Sequence, residues 1–108
     1  RVMAGEMNGR SIVPAAWIEE IRSGARPDLF GGIYRDVLPE GAYHNQFWIE
    51  DGKRRAYMAR GVFGQLVYID PEADFAVVVL SSWPEFVDAA RSRTALAAVR
   101  AIRGALSS

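Results

Sequence analysis

A chain of 108 residues, 50% hydrophobic and 24% charged, carries enough apolar matter for a buried core; this excludes general disorder and suits one small domain or part of a larger one. Its 13 basic and 13 acidic side chains cancel, which argues against nonspecific nucleic-acid binding. With no cysteine and one histidine, disulfides, cysteine-based zinc sites, thiol catalysis and a histidine-rich metal site are excluded, and no apolar run reaches the ~18 residues of a transmembrane helix.

In chain order, residues 1–5 (RVMAG) lack capping logic and read as the tail of a preceding helix, so the chain is expected to be a piece of a longer protein. Asn8-Gly9-Arg10-Ser11 is a turn signal. Pro14 suits the first position of a helix, Trp17, Ile18 and Ile21 recur at helical spacing, and Gly24 is its stop. Glu19 and Glu20 lie near the front of that helix, where carboxylates suit the dipole. Glycines and prolines in residues 25–41, with Phe30, Ile33 and Tyr34 between them, read as an ordered loop pinned by aromatics.

Residues 43–50 (YHNQFWIE) read as one aromatic-rich strand, Asp51-Gly52 as a hairpin turn, and residues 53–59 as the returning strand. Residues 65–69 form the next strand and residues 70–74 (DPEAD) a turn. Residues 75–80 are apolar on both alternating faces, which predicts a central strand covered on both sides. Ser81-Ser82-Trp83-Pro84 opens the last helix. Within it Leu96, Val99, Ile102 and Leu106 make one apolar stripe, and Arg91, Arg93, Arg100 and Arg103 decorate the rest. The order of elements predicts an α+β fold, an antiparallel sheet with helices packed on a face.

The bend Gly61-Val62-Phe63-Gly64-Gln65 has unusually bare backbone. Such a place can present N–H groups to a developing negative charge. It can also be an ordinary barrel corner or bulge, and spacing alone favours that reading, because glycine in a strand most often marks a bulge. Glu50, Asp51, Asp70, Glu72 and Asp74 sit at hairpin tips and read as solubilising turn residues rather than a glycosidase pair. His44 reads as a packing or hydrogen-bonding residue, with general base as the other reading. Trp17, Trp48 and Trp83 read as core or rim residues. No Ser-x-x-Lys, Gly-x-Ser-x-Gly, phosphate loop or dinucleotide fingerprint is present, and nothing calls for a cofactor or a metal.

Four pieces in order, Asn8-Gly9-Arg10-Ser11-Ile12-Val13-Pro14-Ala15-Ala16-Trp17, Tyr43-His44-Asn45-Gln46-Phe47-Trp48, Gly61-Val62-Phe63-Gly64-Gln65 with Tyr68-Ile69-Asp70-Pro71, and residues 77–82 before Pro84, carry a resemblance over nearly the whole chain. Together they resemble the C-terminal end of serine β-lactamase and penicillin-binding-protein-like hydrolases, in particular the 6-aminohexanoate-dimer hydrolase and esterase-like branch. The resemblance implies that residues 1–108 form a single partial domain of an α/β sandwich. Its antiparallel sheet would carry the N- and C-terminal helices on one face and a helical domain on the other.

The resemblance further implies hydrolysis of amide, ester or β-lactam bonds through an acyl-enzyme. The Ser-x-x-Lys and Tyr-x-Asn-type elements would lie upstream. Ala59-Arg60-Gly61 takes the place of Lys-Thr-Gly, so Gly61 and Val62 become the implied catalytic backbone, the Val62 N–H completing the oxyanion hole. Arg60, Phe63 and Tyr43 become implied substrate contacts. The missing Lys-Thr-Gly favours amides or esters over penicillins, and Phe63 stands where this branch often shows histidine. The implied partners are a small-molecule amide or ester and the rest of the hydrolase fold, with no nucleic acid, membrane span or cofactor. The compartment stays open between bacterial cytoplasm and periplasm. The alternatives are a non-catalytic module that keeps the fold, or a small α/β domain that binds a partner through residues 43–48. A fragment is expected to leave apolar surface exposed where its remainder packs.

Overall fold

The computed structural model describes residues 5–51, 53 and 56–107. The expected helical tail at residues 1–4, Gly52 of the hairpin turn, and Arg54 and Arg55 of the returning strand lie outside the described residues.

The fold is α+β. Strands β1 (Glu6–Met7) and β2 (Arg10–Ser11) form a small ribbon; helix α1 (Ala15–Ser23) and the short helix α2 (Ile33–Val37) follow. Strands β3 (Ala42–His44), β4 (Phe47–Ile49), β5 (Tyr57–Arg60), β6 (Leu66–Asp70) and β7 (Phe75–Val79) then build one antiparallel meander, and helix α3 (Ala89–Ser107) closes the chain.

The single strand expected over residues 43–50 is two strands. Asn45 (φ 49) and Gln46 (φ 70) are both left-handed, so they turn the chain in two residues and set His44 opposite Phe47. Two consecutive positive φ angles match the right-handed twist of a hairpin. Asn8 and Gly9 use the same device between Met7 and Arg10.

Register sorts the side chains. Tyr43, Trp48, Met58, Tyr68 and Val77 run across one face, and Ala42, Ile49, Tyr57, Ile69 and Ala76 across the other. On the first face Leu96 and Val99 of α3 pack with Met58, Leu66, Tyr68 and Phe75, and Phe30, Val37 and Leu38 from the α2 region complete that core. On the second face Ile21 of α1 packs with Ala42, Ile49 and Tyr57. Ile21 is the only fully buried side chain of α1. Burial of one such side chain is worth about 1.5–3 kcal/mol; Ile18 packs beside it, and Arg22 pairs with Glu72 at 3.2 Å.

Residues 75–80 do not form a central strand. β7 is the edge of the sheet, with Ala76 and Val78 exposed and Leu80 82% exposed. A continuous apolar run says that both faces seek cover; it does not say that this chain provides it. The last helix begins at Ala89 rather than at Trp83. Asp88 accepts a hydrogen bond from the Arg91 N–H at 3.0 Å and so caps the helix, as a side-chain acceptor before the first turn does. Before the sheet, Arg35 of α2 donates to the carbonyls of Phe30 and Pro27, each at 3.0 Å.

The acidic turn residues divide. Glu50 is 5% and Asp70 0% exposed, so neither solubilises a hairpin tip. Glu50 accepts hydrogen bonds from Arg100, from Arg103 at 3.2 Å and from the Tyr68 hydroxyl. Asp70 lies 3.4 Å from Arg103 and accepts the N–H groups of Glu72 and Ala73. The inward line of α3 therefore runs from Leu96 and Val99 to Arg103, while Ile102 and Leu106 are exposed. Two charges of each sign neutralise one another there, which is the condition under which buried ions are tolerated.

Candidate functional site

The site is built around the bend that leaves β5. Gly61 is extended (φ −108, ψ 168), and Val62–Gly64 make one 3₁₀ turn. Inside it Phe63 is left-handed (φ 59, ψ 22) and Gly64 has φ 92. A left-handed non-glycine residue costs roughly 1–2 kcal/mol and persists only where its surroundings hold it.

Here the surroundings are the segment after β7. The Phe63 N–H donates to the Phe86 carbonyl at 2.9 Å, and the Phe63 carbonyl accepts the Trp83 N–H at 3.2 Å. The Gln65 side chain donates to the Ser81 carbonyl at 2.7 Å and accepts the Ser81 N–H at 3.1 Å. The Gly61 N–H donates to Gln65 at 2.9 Å. The Val62 N–H makes no hydrogen bond among the described residues, and Val62 is 55% exposed. A backbone donor is thus left unpaired on a clamped turn. Such a fixed donor can stabilise a developing oxyanion without reorganising.

Arg60 points to the α3 face of the sheet. Its guanidinium carbon lies 5.1 Å from the centre of the Trp48 ring, and its Nη2 donates to the Ser92 hydroxyl at 3.0 Å. Burial pushes the guanidinium down from its usual value, and Tyr34 partly offsets that fall. Arginine stays charged regardless, so the shift records a cost of desolvation.

Trp48 is the hub of the aromatic residues, with Tyr34 at 4.8 Å, Tyr43 at 5.0 Å and Phe30 at 6.0 Å between ring centres. Arg60, Gly61 and Val62 share one cleft with Tyr34, Trp48, Trp83, Phe86, Val87 and Ser92. Phe63 belongs to the bend but does not line that cleft, and Tyr43 reaches it only through its contact with Trp48. His44 lies on the opposite face, 3.9 Å from Glu20 and against Gly24.

Tyr34, Trp83, Phe86 and Ser92 join the cleft through packing that the sequence pattern does not mark. Trp83 and Tyr34 carry a sequence signal only as aromatics, Trp83 as a core or rim residue and Tyr34 as one that pins the loop of residues 25–41. Ser92, a small polar residue in an arginine- and alanine-rich helix, carries none. Among the described residues no helix is long and apolar enough to cross a membrane, and no group of His, Asp or Glu could hold a metal ion.

No family model matches the chain. Over 82 residues it is 32% identical to the 6-aminohexanoate-dimer hydrolase of Paenarthrobacter ureafaciens, an alignment that covers 75% of this chain and 21% of that hydrolase. The chain spans about a fifth of the length of the relative it matches. It is therefore similar, across three-quarters of its own length, to one segment of that hydrolase.

Proposed function

We propose that this chain is the C-terminal segment of a serine hydrolase of the β-lactamase-like kind, and that it supplies the oxyanion donor but not the nucleophile. The observation that carries the reading is the unpaired Val62 N–H on a strained, clamped turn. The similarity to a 6-aminohexanoate-dimer hydrolase supports the same reaction class.

In this reading a serine oxygen from another segment adds to the carbonyl of an amide, ester or β-lactam. The carbonyl oxygen becomes negative and is met by the Val62 N–H. The tetrahedral intermediate then collapses to an acyl-enzyme as the leaving group is protonated, and water releases the acid. Gly61 keeps the bend tight, since a Cβ there would meet the Gln65 side chain at 3.0 Å. Arg60 forms part of the substrate wall, with Tyr43 behind it against Trp48, while Phe63 holds the bend and lies outside that cleft. Val67, Val78 and Leu80, exposed along β6 and β7, are the surface that the rest of the hydrolase would cover.

The test has two arms. The purified 108-residue chain should not turn over p-nitrophenyl acetate above buffer, and clear multiple turnover would overturn the placement of the nucleophile elsewhere. The source reading frame should continue upstream through a Ser-x-x-Lys, and a frame without one would remove the catalytic role.

A further inference from the structure

Gln65 holds both neighbours of Val62. Its carbonyl accepts the Gly61 N–H at 2.9 Å, which fixes the chain just before Val62. Its side chain secures the other flank. Nε2 donates to the Ser81 carbonyl at 2.7 Å, and Oε1 accepts the Ser81 N–H at 3.1 Å. Ser81 opens the segment whose Trp83 N–H and Phe86 carbonyl bond the carbonyl and N–H of Phe63. Phe63 follows Val62 directly, and its left-handed backbone needs that support.

The chemistry of the amide explains why glutamine suits this position. The ladder between β6 and β7 ends with Leu66 opposite Val79. Beyond it Gly64 is left-handed (φ 92), and the main chain does not continue the ladder to Ser81. The side-chain amide of glutamine carries the same donor and acceptor as a peptide group, and here it supplies the missing rung. A carboxylate would set an oxygen against the Ser81 carbonyl, and a hydrocarbon would make neither bond. Gln65 and Ser81 are both half-buried, where paired hydrogen bonds are stronger than in open water. The stem of Gln65 also lies against Gly61, where a Cβ would meet it at 3.0 Å.

We propose that Gln65 is a positioning residue, whose side-chain amide stands in for one rung of the sheet and, through residues 81–86, sets the direction in which the Val62 N–H points. The positioning role rests on the oxyanion reading above; the anchorage of the bend does not. A preorganised donor acts only where it is aimed, and a misplacement of about 1 Å can cost roughly a hundredfold in rate.

The first arm of the test uses the 108-residue chain and follows amide hydrogen exchange by NMR. Gln65→Met should speed exchange of the Phe63 and Trp83 N–H groups by about tenfold or more, the loss expected for two hydrogen bonds. The bonded N–H groups between β5 and β6, which report global stability, should change much less. Gln65→Glu keeps the length and the acceptor but loses the donor; it should act in the same direction, and it decides if Gln65→Met fails to fold by circular dichroism. Unchanged exchange at Phe63 and Trp83, or equal acceleration throughout the sheet, would overturn the anchorage.

The second arm uses the complete hydrolase. Gln65→Met should lower kcat about tenfold to a hundredfold with KM nearly unchanged, the mark of an interaction made only in the transition state. In a Val62→Pro background the same change should lower kcat no further, because no N–H is left to aim, whereas a merely structural loss would multiply through. Full multiplication of the two losses would overturn the positioning role. A loss of kcat in Val62→Pro with none in Gln65→Met would sink this inference alone. No loss in Val62→Pro would sink the oxyanion reading, and exchange would still decide what Gln65 anchors.

Discussion

A Cβ placed on Gly64 would stand 2.3 Å from the Trp83 ring. Gly64 also has φ 92, so the position excludes side chains for two separate reasons, conformation and close approach. The contact explains why residues 80–88 do not run straight into a helix. The backbone of Trp83 is bonded to Phe63, its ring lies on Gly64, and the helix waits for the Asp88 cap.

Gly64→Ala should therefore destabilise the fold by about 2–5 kcal/mol. That is the sum of roughly 1–2 kcal/mol for a left-handed alanine and ~1–3 kcal/mol for overpacking. Urea midpoints of the wild type and the variant give the number. In a Gly64→Ala/Trp83→Ala double variant the clash is gone, so the combined loss should be smaller than the sum of the two single losses. A Gly64→Ala variant that melts like the wild type would refute the packing argument.

Glu50 joins α3 to the sheet. Removing its charge with Glu50→Gln takes one carboxylate charge away from both Arg103 and Arg100. Loss of one partner from a buried pair costs about 3–5 kcal/mol; the Arg100 side chain is 40% exposed, so water recovers part of this. The expected loss is about 2–4 kcal/mol. Arg100→Ala should cost under about 1 kcal/mol, as exposed pairs do, and Arg103→Ala distinctly more. Denaturant melts of the three variants would rank them, and an Arg100→Ala loss equal to that of Glu50→Gln would contradict the ranking.

The two classes of information separate cleanly along the chain. Local chemistry was legible: Asn8-Gly9 as a turn, Gly24 as a helix stop, and residues 65–69 and 75–80 as strands around an acidic turn. Non-local relations were not. Gln46 carries no turn signal, and it is left-handed because the Asn45 hairpin requires two such residues in succession. Glu50 and Asp70 look like solvated turn acids until α3, about 30–50 residues further on, brings Arg100 and Arg103 over them. The apolar run at β7 fixes which residues seek burial, while its edge position depends on strand order. The bare backbone of the bend could be read from two glycines. Its anchorage by Trp83 and Phe86, and the approach of Ser92 to Arg60, are products of packing alone.

Two phenols make stability depend on alkaline pH. Burial is the largest cause raising the Tyr68 hydroxyl; its hydrogen bond to Glu50 and the Glu50 charge add to this, and Arg103 opposes it. Burial also raises Tyr57, with Arg22 opposing. In the folded chain these groups keep their protons, while the unfolded chain loses its own near pH 10. The contribution is complete below about pH 10 and is lost as pH rises through the folded values. The chain has four tyrosines and one lysine, Lys53, so phenols dominate titration in that range. Urea midpoints should stay level from roughly pH 7 to 9 and fall above about pH 10. Tyr68→Phe should flatten that fall, and an unchanged slope in the variant would exclude Tyr68 as its source.

The oxyanion role of Val62 can be isolated because the backbone around it accepts proline. Val62 is the first residue of its 3₁₀ turn, a position where proline fits and where the N–H has no helical partner. Gly61 before it is extended, as a residue preceding proline should be. Val62→Pro therefore removes one N–H and little else. In the complete hydrolase proposed above it should lower kcat by about a hundred- to a thousandfold, the loss typical of one oxyanion donor, with little change in the urea midpoint. Val62→Ala keeps the N–H and should stay within a few-fold of the wild type. Equal activity in the proline and alanine variants would show that the donor lies elsewhere.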